Sequence, residues 1–538
     1  MRQTTLSVAL EVKAESFKHL SQLLDNFRFD PSKNPAGGTG PFDKLLASVP
    51  VLHFMSFSLF PGYDYEPLFV IEANFDGEPG PLWAQLEAAI GDELRTFLRC
   101  CKKPIDRHGP LFAAVTEANS RAPIAPYLEA RALKPTAYHH GNRGMTRDRI
   151  LDEFSLFKET RAEIAAHDAG YRKLPATGVH QKLRAALFAK FPWLDLPAPP
   201  RIGRLEDAFD KLKLGAFVFG AIFALSIPGL AFAPAMPEKN RYFALLAVVF
   251  VGLAAWLWRI ADPLPGTETR SSFSLAHFLF AQLLPAALFL ALYFLIIGAL
   301  GTPVWMILVG GGAMEAWQET LVWLGLGLAC APVSIVGILV WLRTLERGDS
   351  SQDAPPVDPR MMREMARRED WIPQNHMGSI VLIKPGALRA LLIRAGHLGL
   401  GLLLRVTARD GYLGSMRTIH FAHWAMVNNK SRLMFLSNFD QTWESYLDDF
   451  VEKAHNGLTI AWSCGVGFPP ARFLLYEGAS HGRQFKEWAR HSMAVSHFWF
   501  SAYTDLTTEQ IERNYRIALG LRKTSLTQTE AAQWTTDL

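Results

Sequence analysis

The chain of 538 residues carries a net charge of only +4, with 49% hydrophobic and 20% charged residues. Its length exceeds one compact core, so two or more domains are expected. The weak charge, without a long Lys/Arg block, argues against a nucleic-acid partner, and four cysteines without CxxC or Cys/His spacing argue against a disulfide framework or a zinc site.

In chain order, the N-terminus lacks an apolar h-region, so no cleaved signal peptide is expected. Residues 4–27 read as an alternating strand followed by an amphipathic helix. A strand opened by His53, the loop "PGYDYEP" and a strand closing in Asn74-Phe75-Asp76 come next, then a helix over 81–98. Residues 136–161 place a short aromatic strand before a Thr-capped helix. "QKLRAALFAKFPW" (181–193) alternates basic and apolar residues at helical spacing. It reads either as a helix lying on a lipid leaflet or as a surface helix packed on its own domain.

Four apolar segments follow, at 214–235, 242–258, 275–300 and 321–342, with lengths suited to a hydrocarbon core of about 30 Å. A bend is expected near Pro285, and 301–320 reads as a re-entrant or interfacial loop. Arg201, Arg204, Lys211, Lys213, Arg259, Arg270, Arg343 and Arg347 flank one side, against Lys239 and Arg241 on the other. The positive-inside rule then puts both soluble regions on the cytoplasmic side of an inner or plasma membrane. His277 and Gln282 read as helix–helix or interfacial groups, so the block reads as an anchor.

The second half repeats the first. Residues 378–404 are again strand then helix, and His420 opens the next strand. The "NNKS" turn, a strand closing in Asn438-Phe439-Asp440 and a helix over 442–457 follow. Residues 497–522 align with 136–161 without a gap, and Thr507 and Gln510 have capping-box spacing. The expected organisation is a first repeat over 1–175, an amphipathic linker segment over 176–213 and four spans over 214–342. A polar linker over 343–373, a second repeat over 374–525 and a tail over 526–538 complete it.

Strand–helix–strand–strand–helix–strand is the ferredoxin-like order. The expected fold class is α+β: two ferredoxin-like repeats forming an intramolecular α/β barrel, plus an inserted four-helix transmembrane region. On element order and duplication, both soluble halves resemble the dimeric α/β-barrel superfamily. That group includes dye-decolourising peroxidases, chlorite dismutase-like proteins, haem-degrading monooxygenases and cofactor-free antibiotic-biosynthesis monooxygenases. The resemblance implies an oxidoreductase, haem-dependent or cofactor-free, acting on a lipophilic small molecule at the lipid bilayer. The alternative is a non-catalytic lipid or small-molecule binder or scaffold. The GxxDG loop of dye-decolourising peroxidases is not matched, since "NFDGE" (74–78) and "TARDG" (407–411) lack its first glycine.

Strand alternation groups His53 with Met55 and Phe57, and His420 with Ala422 and Trp424. Facing a shared interior, His53 and His420 would flank a pseudo-twofold axis as haem ligands, general bases or core contacts. Asn74, Asp76, Asn438 and Asp440 read either as pocket-mouth groups that orient a substrate or as strand-end groups, with Asp accepting helix N–H donors. His140 and Arg143, beside His139, and His497 complete the candidate cofactor-binding set. No metal cluster, P-loop, GxGxxG after a strand, HExxH, GxSxG or EF-hand pattern occurs.

Overall fold

A computed structural model describes residues 2–28, 40–62, 65–236, 238–263, 275–349, 358–413 and 416–538, without the side chains of 275–279 and 281–285. The expectations for His277, Gln282 and Pro285 therefore lie outside the described side chains, and part of the 343–373 linker lies outside the described residues.

The fold is α+β. Its first half runs β1 (Gln3–Glu11), α1 (Phe17–Phe27), α2 (Pro41–Ser48), β2 (Leu52–Phe60), β3 (Leu68–Asp76), α3 (Pro79–Arg99), α4 (Gly109–Thr116) and α5 (Ala125–Arg131). It continues through β4 (Ala132–Leu133), β5 (Ala137–His140), α6 (Arg147–Ala166), α7 (Asp168–Tyr171) and α8 (Ala176–Phe188). Four long helices follow: α9 (Arg204–Phe232), α10 (Lys239–Ile260), α11 (Leu275–Leu308) and α12 (Ala313–Arg347). The second half comprises α13 (Pro359–Ala366), β6 (Gln374–Leu382), α14 (Ala387–Thr407), β7 (Ile419–Val427), β8 (Arg432–Asp440) and α15 (Trp443–Trp462). It ends with β9 (Ala471–Arg472), β10 (Tyr476–Glu477), α16 (Gly482–Ser492), β11 (Val495–Ser501), α17 (Thr508–Arg522) and α18 (Gln528–Thr535).

Two antiparallel sheets form the soluble body, with strand orders β11-β2-β3-β1-β4 and β5-β7-β8-β6. The last strand of each half is exchanged. β11 of the second half pairs with β2, from Val495 opposite Leu59 to Ser501 opposite Phe54. β5 of the first half pairs with β7, from Ala137 opposite Trp424 to His140 opposite Phe421. Apolar runs along these strands show that both faces must be covered but do not name the neighbouring strand, so the exchange is not legible in the sequence.

Both sheets bury both faces, which is why their strands carry nearly continuous apolar runs. The outer face of the first sheet packs Phe57 and Phe69 against Phe27 of α1 and Phe97 of α3. The second packs Trp424 and Phe435 against Trp462 of α15. Between the sheets, one end is apolar and includes Phe60, Val70, Ile380, Val427, Met434 and Leu436. Burying each such side chain contributes about 1.5–3 kcal/mol.

The "NNKS" turn closes the second hairpin with Asn428, Asn429 and Lys430 all at positive φ. Segment 181–193 falls mainly in α8, whose Leu183 and Leu187 pack with Leu156, Ile517 and Leu521. It is thus a helix packed on its own domain. The tail is ordered as α18: Thr527 and Glu530 form a capping box, and Trp534 donates to the Ile517 carbonyl at 3.2 Å.

Among the described residues five helices are long and apolar enough, by length and composition, to cross a membrane: Arg204–Ala235, Lys239–Ile260, Ala286–Leu308, Ala313–Arg347 and Ala387–Thr407. The sequence reading has four; the fifth, α14, was read only as the helix of the second repeat. Within α9–α12, Gly229 comes within 2.9 Å of the Gly327 carbonyl at the position a Cβ would take, so small residues set the α9–α12 contact. Segment 301–320 is helical rather than re-entrant except at a short turn, where Gly310 and Gly311 have φ of +88° and +99°. Helix α11 continues to Leu308 because no earlier residue in that segment requires a left-handed turn.

The start of α9 and the ends of α10 and α12 dock on the two-sheet body. Asp210 of α9 lies 2.7 Å from Arg143 and 2.8 Å from Arg405. Glu346 of α12 accepts the backbone N–H groups of Phe473 and Leu474 at 3.0 Å each. Fully buried Arg343 donates to the carbonyls of Ile260 and Asp262 at 2.9 and 2.6 Å.

Candidate functional site

The middle of the inter-sheet space is polar and is built around Glu72 of β3, which is fully buried. By strand alternation Glu72 shares its face with Val70, Asn74 and Asp76, so it points at the second sheet. Ser56 donates to its Oε2 at 3.0 Å, and His376 Nε2 lies 2.8 Å from the same oxygen. Asn74 and Asn438 donate to its Oε1 at 2.9 and 3.0 Å. These four contacts fill the lone-pair sites of a carboxylate. Burial alone would raise the Glu72 pKa, but the charge and hydrogen bond of His376, with help from His423 and Asn74, bring it down to about 2.

Each donor is itself held. Asn438 Oδ1 accepts from Trp499 Nε1 at 2.8 Å, and Asn74 Oδ1 accepts from the Thr5 hydroxyl at 2.8 Å. Thr5 Oγ1 in turn lies 2.9 Å from His140 Nε2. His423 stands 3.8 Å from Glu72 and 3.4 Å from Ser7, and burial pushes its pKa down to about 4. Burial also lowers His140 well below its usual value, helped by the nearby positive charge of Arg143.

His376 carries the network outward. Its Nδ1 is 2.7 Å from Ser496 Oγ, to which Ser58 Oγ donates at 3.4 Å. Ser496 and His376 line a cavity of about 390 Å³ between β6 and β11. Its wall is mainly apolar, with Phe42, Met365, Ile372 and Met493, and Trp499 and Gln374 add polar edges. The size falls within the ordinary range for small-molecule sites, roughly 300–1,000 Å³. His497 and Arg368 also line it, each 2.8 Å from Asp25 Oδ1. Burial would raise the Asp25 pKa, but His497 and Arg368 hold it at about 2.

At the other end, the residues matched between the repeats come together. His53 Nε2 is 3.1 Å from Asp76 Oδ2, and His420 Nε2 is 2.7 Å from Asp440 Oδ1. Each Asp also accepts the first N–H of the far helix of its half: Arg147 N for Asp76 and Thr508 N for Asp440, at 2.8 and 2.7 Å. The rings of His53 and Phe421 are 5.3 Å apart and those of Phe54 and His420 are 5.1 Å apart, so the histidines flank a pseudo-twofold axis.

Their facing corrects the simple alternation. A register shift at His53 and another at His420 mark β-bulges, which turn each His out of the Met55–Phe57 or Ala422–Trp424 row and toward its Asp. A haem-ligating imidazole needs a free nitrogen facing an open position. His53 has none, because its Nδ1 is 2.9 Å from Tyr503 OH and its Nε2 faces Asp76. His420 Nδ1 makes no hydrogen bond, but the residue is 1% exposed and lies outside the cavity wall. Neither fits the haem-ligand role.

The other candidates separate. His140 joins the Glu72 network, and His497 lines the cavity. Arg143 does neither: it lies 2.6 Å from Glu206, beside Asp210, and fastens α9 to the body. Asn74 and Asn438 hold Glu72 instead of standing at a pocket mouth. Among the described residues no group of three or more His, Cys, Asp or Glu is arranged to hold a metal ion.

The duplication hid Glu72, His376 and Ser496. With Gln3 opposite Asp76 and Gln374 opposite Asp440, Glu72 matches Leu436, and His376 matches Thr5. A search for matched positions passes over both. The visible signal is a carboxylate in the middle of the apolar run "LFVIEANFD", on the same strand face as Asn74 and Asp76.

Comparison with known proteins gives no matching family model, no similar curated protein and no similar solved structure.

Proposed function

We propose that the chain is a membrane-anchored enzyme of the dimeric α/β-barrel kind, two ferredoxin-like repeats with a four-helix anchor between them. Its cavity takes a small lipophilic molecule. His376 transfers a proton to or from that molecule, directly or through Ser496, and Glu72 positions the imidazole. The observation that carries this reading is the chain of contacts Ser496–His376–Glu72, with a fully buried carboxylate at one end and a largely apolar cavity at the other. A carboxylate on one imidazole nitrogen and a cavity-lining hydroxyl on the other is an arrangement suited to general acid–base catalysis, with Ser496 passing the proton. A cofactor-free oxygenase, the oxidoreductase version of this reading, would need such a base to remove a substrate proton before reaction with dioxygen. The basic flanks of α9, α10 and α12 support a cytoplasmic placement of the soluble body.

The test is native mass spectrometry of the detergent-purified protein to identify a co-purifying small molecule, followed by turnover assays on it. His376→Gln should abolish turnover and leave the molecule bound. The second reading, a binding protein without chemistry, is favoured by the same apolar wall. It predicts that His376→Gln changes affinity alone and that no product forms with the native protein.

A further inference from the structure

Helix α14 has one face that the soluble body covers and one that it leaves open. Leu388, Ile393, His397 and Leu404 are buried, and His397 contacts Thr136 Oγ1 at 3.0 Å and the Ala461 carbonyl at 3.2 Å. On the opposite side Leu391 and Leu398 form one row, 64% and 53% exposed, while Leu403, 46% exposed, lies about 120° further round the helix, beyond the point where Gly399 packs on Phe217 of α9. Arg394 sits between the first two at i+3, on the same side. Ile460 of α15 is also exposed, at 44%.

By length and composition α14 is able to cross a bilayer. Its ends decide otherwise. Arg389, near its start, donates to the Leu345 carbonyl at 3.1 Å, at the end of α12. Arg405, near its finish, lies 2.8 Å from Asp210 and 3.4 Å from Glu206, in the first turns of α9. Both of those helix ends dock on the two-sheet body. A crossing helix must deliver its ends to opposite surfaces, whereas both ends of α14 lie on the body's side. The strands flanking it, β6 and β7, also belong to one sheet.

We propose that α14 is an interfacial helix. It lies at the surface of the bilayer spanned by α9–α12, with Leu391 and Leu398 in the boundary between headgroups and acyl chains. Arg394 extends from this row to the phosphates, as a long basic side chain does when its stem is in an apolar layer. The occupant of the open face is lipid because that face continues from the two membrane helices to which both ends of α14 are tied. The inference rests on the membrane reading of α9–α12, so its test carries a control for that reading.

The experiment uses the full chain in nanodiscs, with nitroxide labels at Leu391→Cys and Leu398→Cys, and at Val248→Cys on α10. The native cysteines Cys100, Cys101, Cys330 and Cys464 are all buried. The expected result is that both α14 labels meet oxygen more than a nickel chelate, at depths shallower than the Val248 label. A depth profile that reaches the bilayer centre midway along α14 would overturn the proposal in favour of a span. Free access of the nickel chelate to the α14 labels would overturn it in favour of water. Label immobilisation that disappears on dilution with unlabelled chain would overturn it in favour of a second copy. Nickel access at Val248 would instead reject the membrane reading itself.

Discussion

Asn74 and Asn438, equivalent residues of the two halves, donate from 2.9 and 3.0 Å to the same oxygen of Glu72. A symmetric pair therefore serves a group that exists in one half only. The repeat supplies the clamp, and divergence supplies what it holds: Glu72 where the other half has Leu436, and His376 where the other half has Thr5.

That relationship predicts non-additivity. Glu72→Leu leaves His376, Asn74 and Asn438 without their acceptor and should cost about 3–5 kcal/mol, as breaking one side of a buried pair does. Adding His376→Thr, which restores at both positions the residue found in the other half, should recover about 1–3 kcal/mol. Denaturant unfolding of the two variants measures the difference, and strictly additive losses would show that Glu72 and His376 are not energetically coupled.

Acid should destabilise the protein in two stages. Burial lowers His139 and His423 to about 4, so they stay neutral in the fold and take up protons in the unfolded chain below about 6.5. Their contribution is complete above pH 6.5 and is lost as the pH falls toward 4, up to about 3 kcal/mol apiece. Glu72, held at about 2, contributes fully above its unfolded value of 4.5 and loses that contribution between 4.5 and 2. Melting temperatures should fall from pH 7 to pH 5, and His423→Gln should flatten that slope. An unchanged slope in the variant would remove His423 from the account.

Asp76 and Asp440 each join a His to a helix start. Asp440→Ala should cost about 2–4 kcal/mol, combining a lost cap with an unpartnered buried imidazole. Asp440→Asn should recover part of it, because the amide oxygen still accepts from Thr508 N. Asp76→Ala should match Asp440→Ala within about 1 kcal/mol if the two dyads are equivalent supports.

The exchanged strands predict that the halves stay together when the chain is cut. A protease site inserted within 350–357 should, once cleaved, leave residues 1–349 and 358–538 in one peak on size exclusion in mild detergent. Separation into two peaks would mean that β5 and β11 do not hold the sheets together.

Much of the frame was legible because it is local. The "NNKS" turn and the Thr507–Gln510 capping box follow from short-range rules and appear in the fold. The aspartates of the two Asn-Phe-Asp triplets read either as pocket-mouth groups or as acceptors for helix N–H groups, and in the fold Asp76 and Asp440 accept from Arg147 N and Thr508 N. The helices they serve, α6 and α17, lie far along the chain, so only tertiary structure could name them. The bulges at His53 and His420 are not legible in the sequence, since strands buried on both faces have no clear alternation whose phase a register shift could break. The cavity was missed for a similar reason: it lies between β6 and β11, whose proximity follows from the exchange.

The exchange also sets an order of events during synthesis. The edge of β2 is complete at Phe60, yet its partner strand begins at Val495. At roughly 5–20 residues per second, that edge waits on the order of 20–90 s for its cover, while α9–α12 are being made. An uncovered apolar edge strand is a template for pairing with another chain. The first half therefore reaches the membrane unfinished, and its protection during that interval has to come from outside the chain.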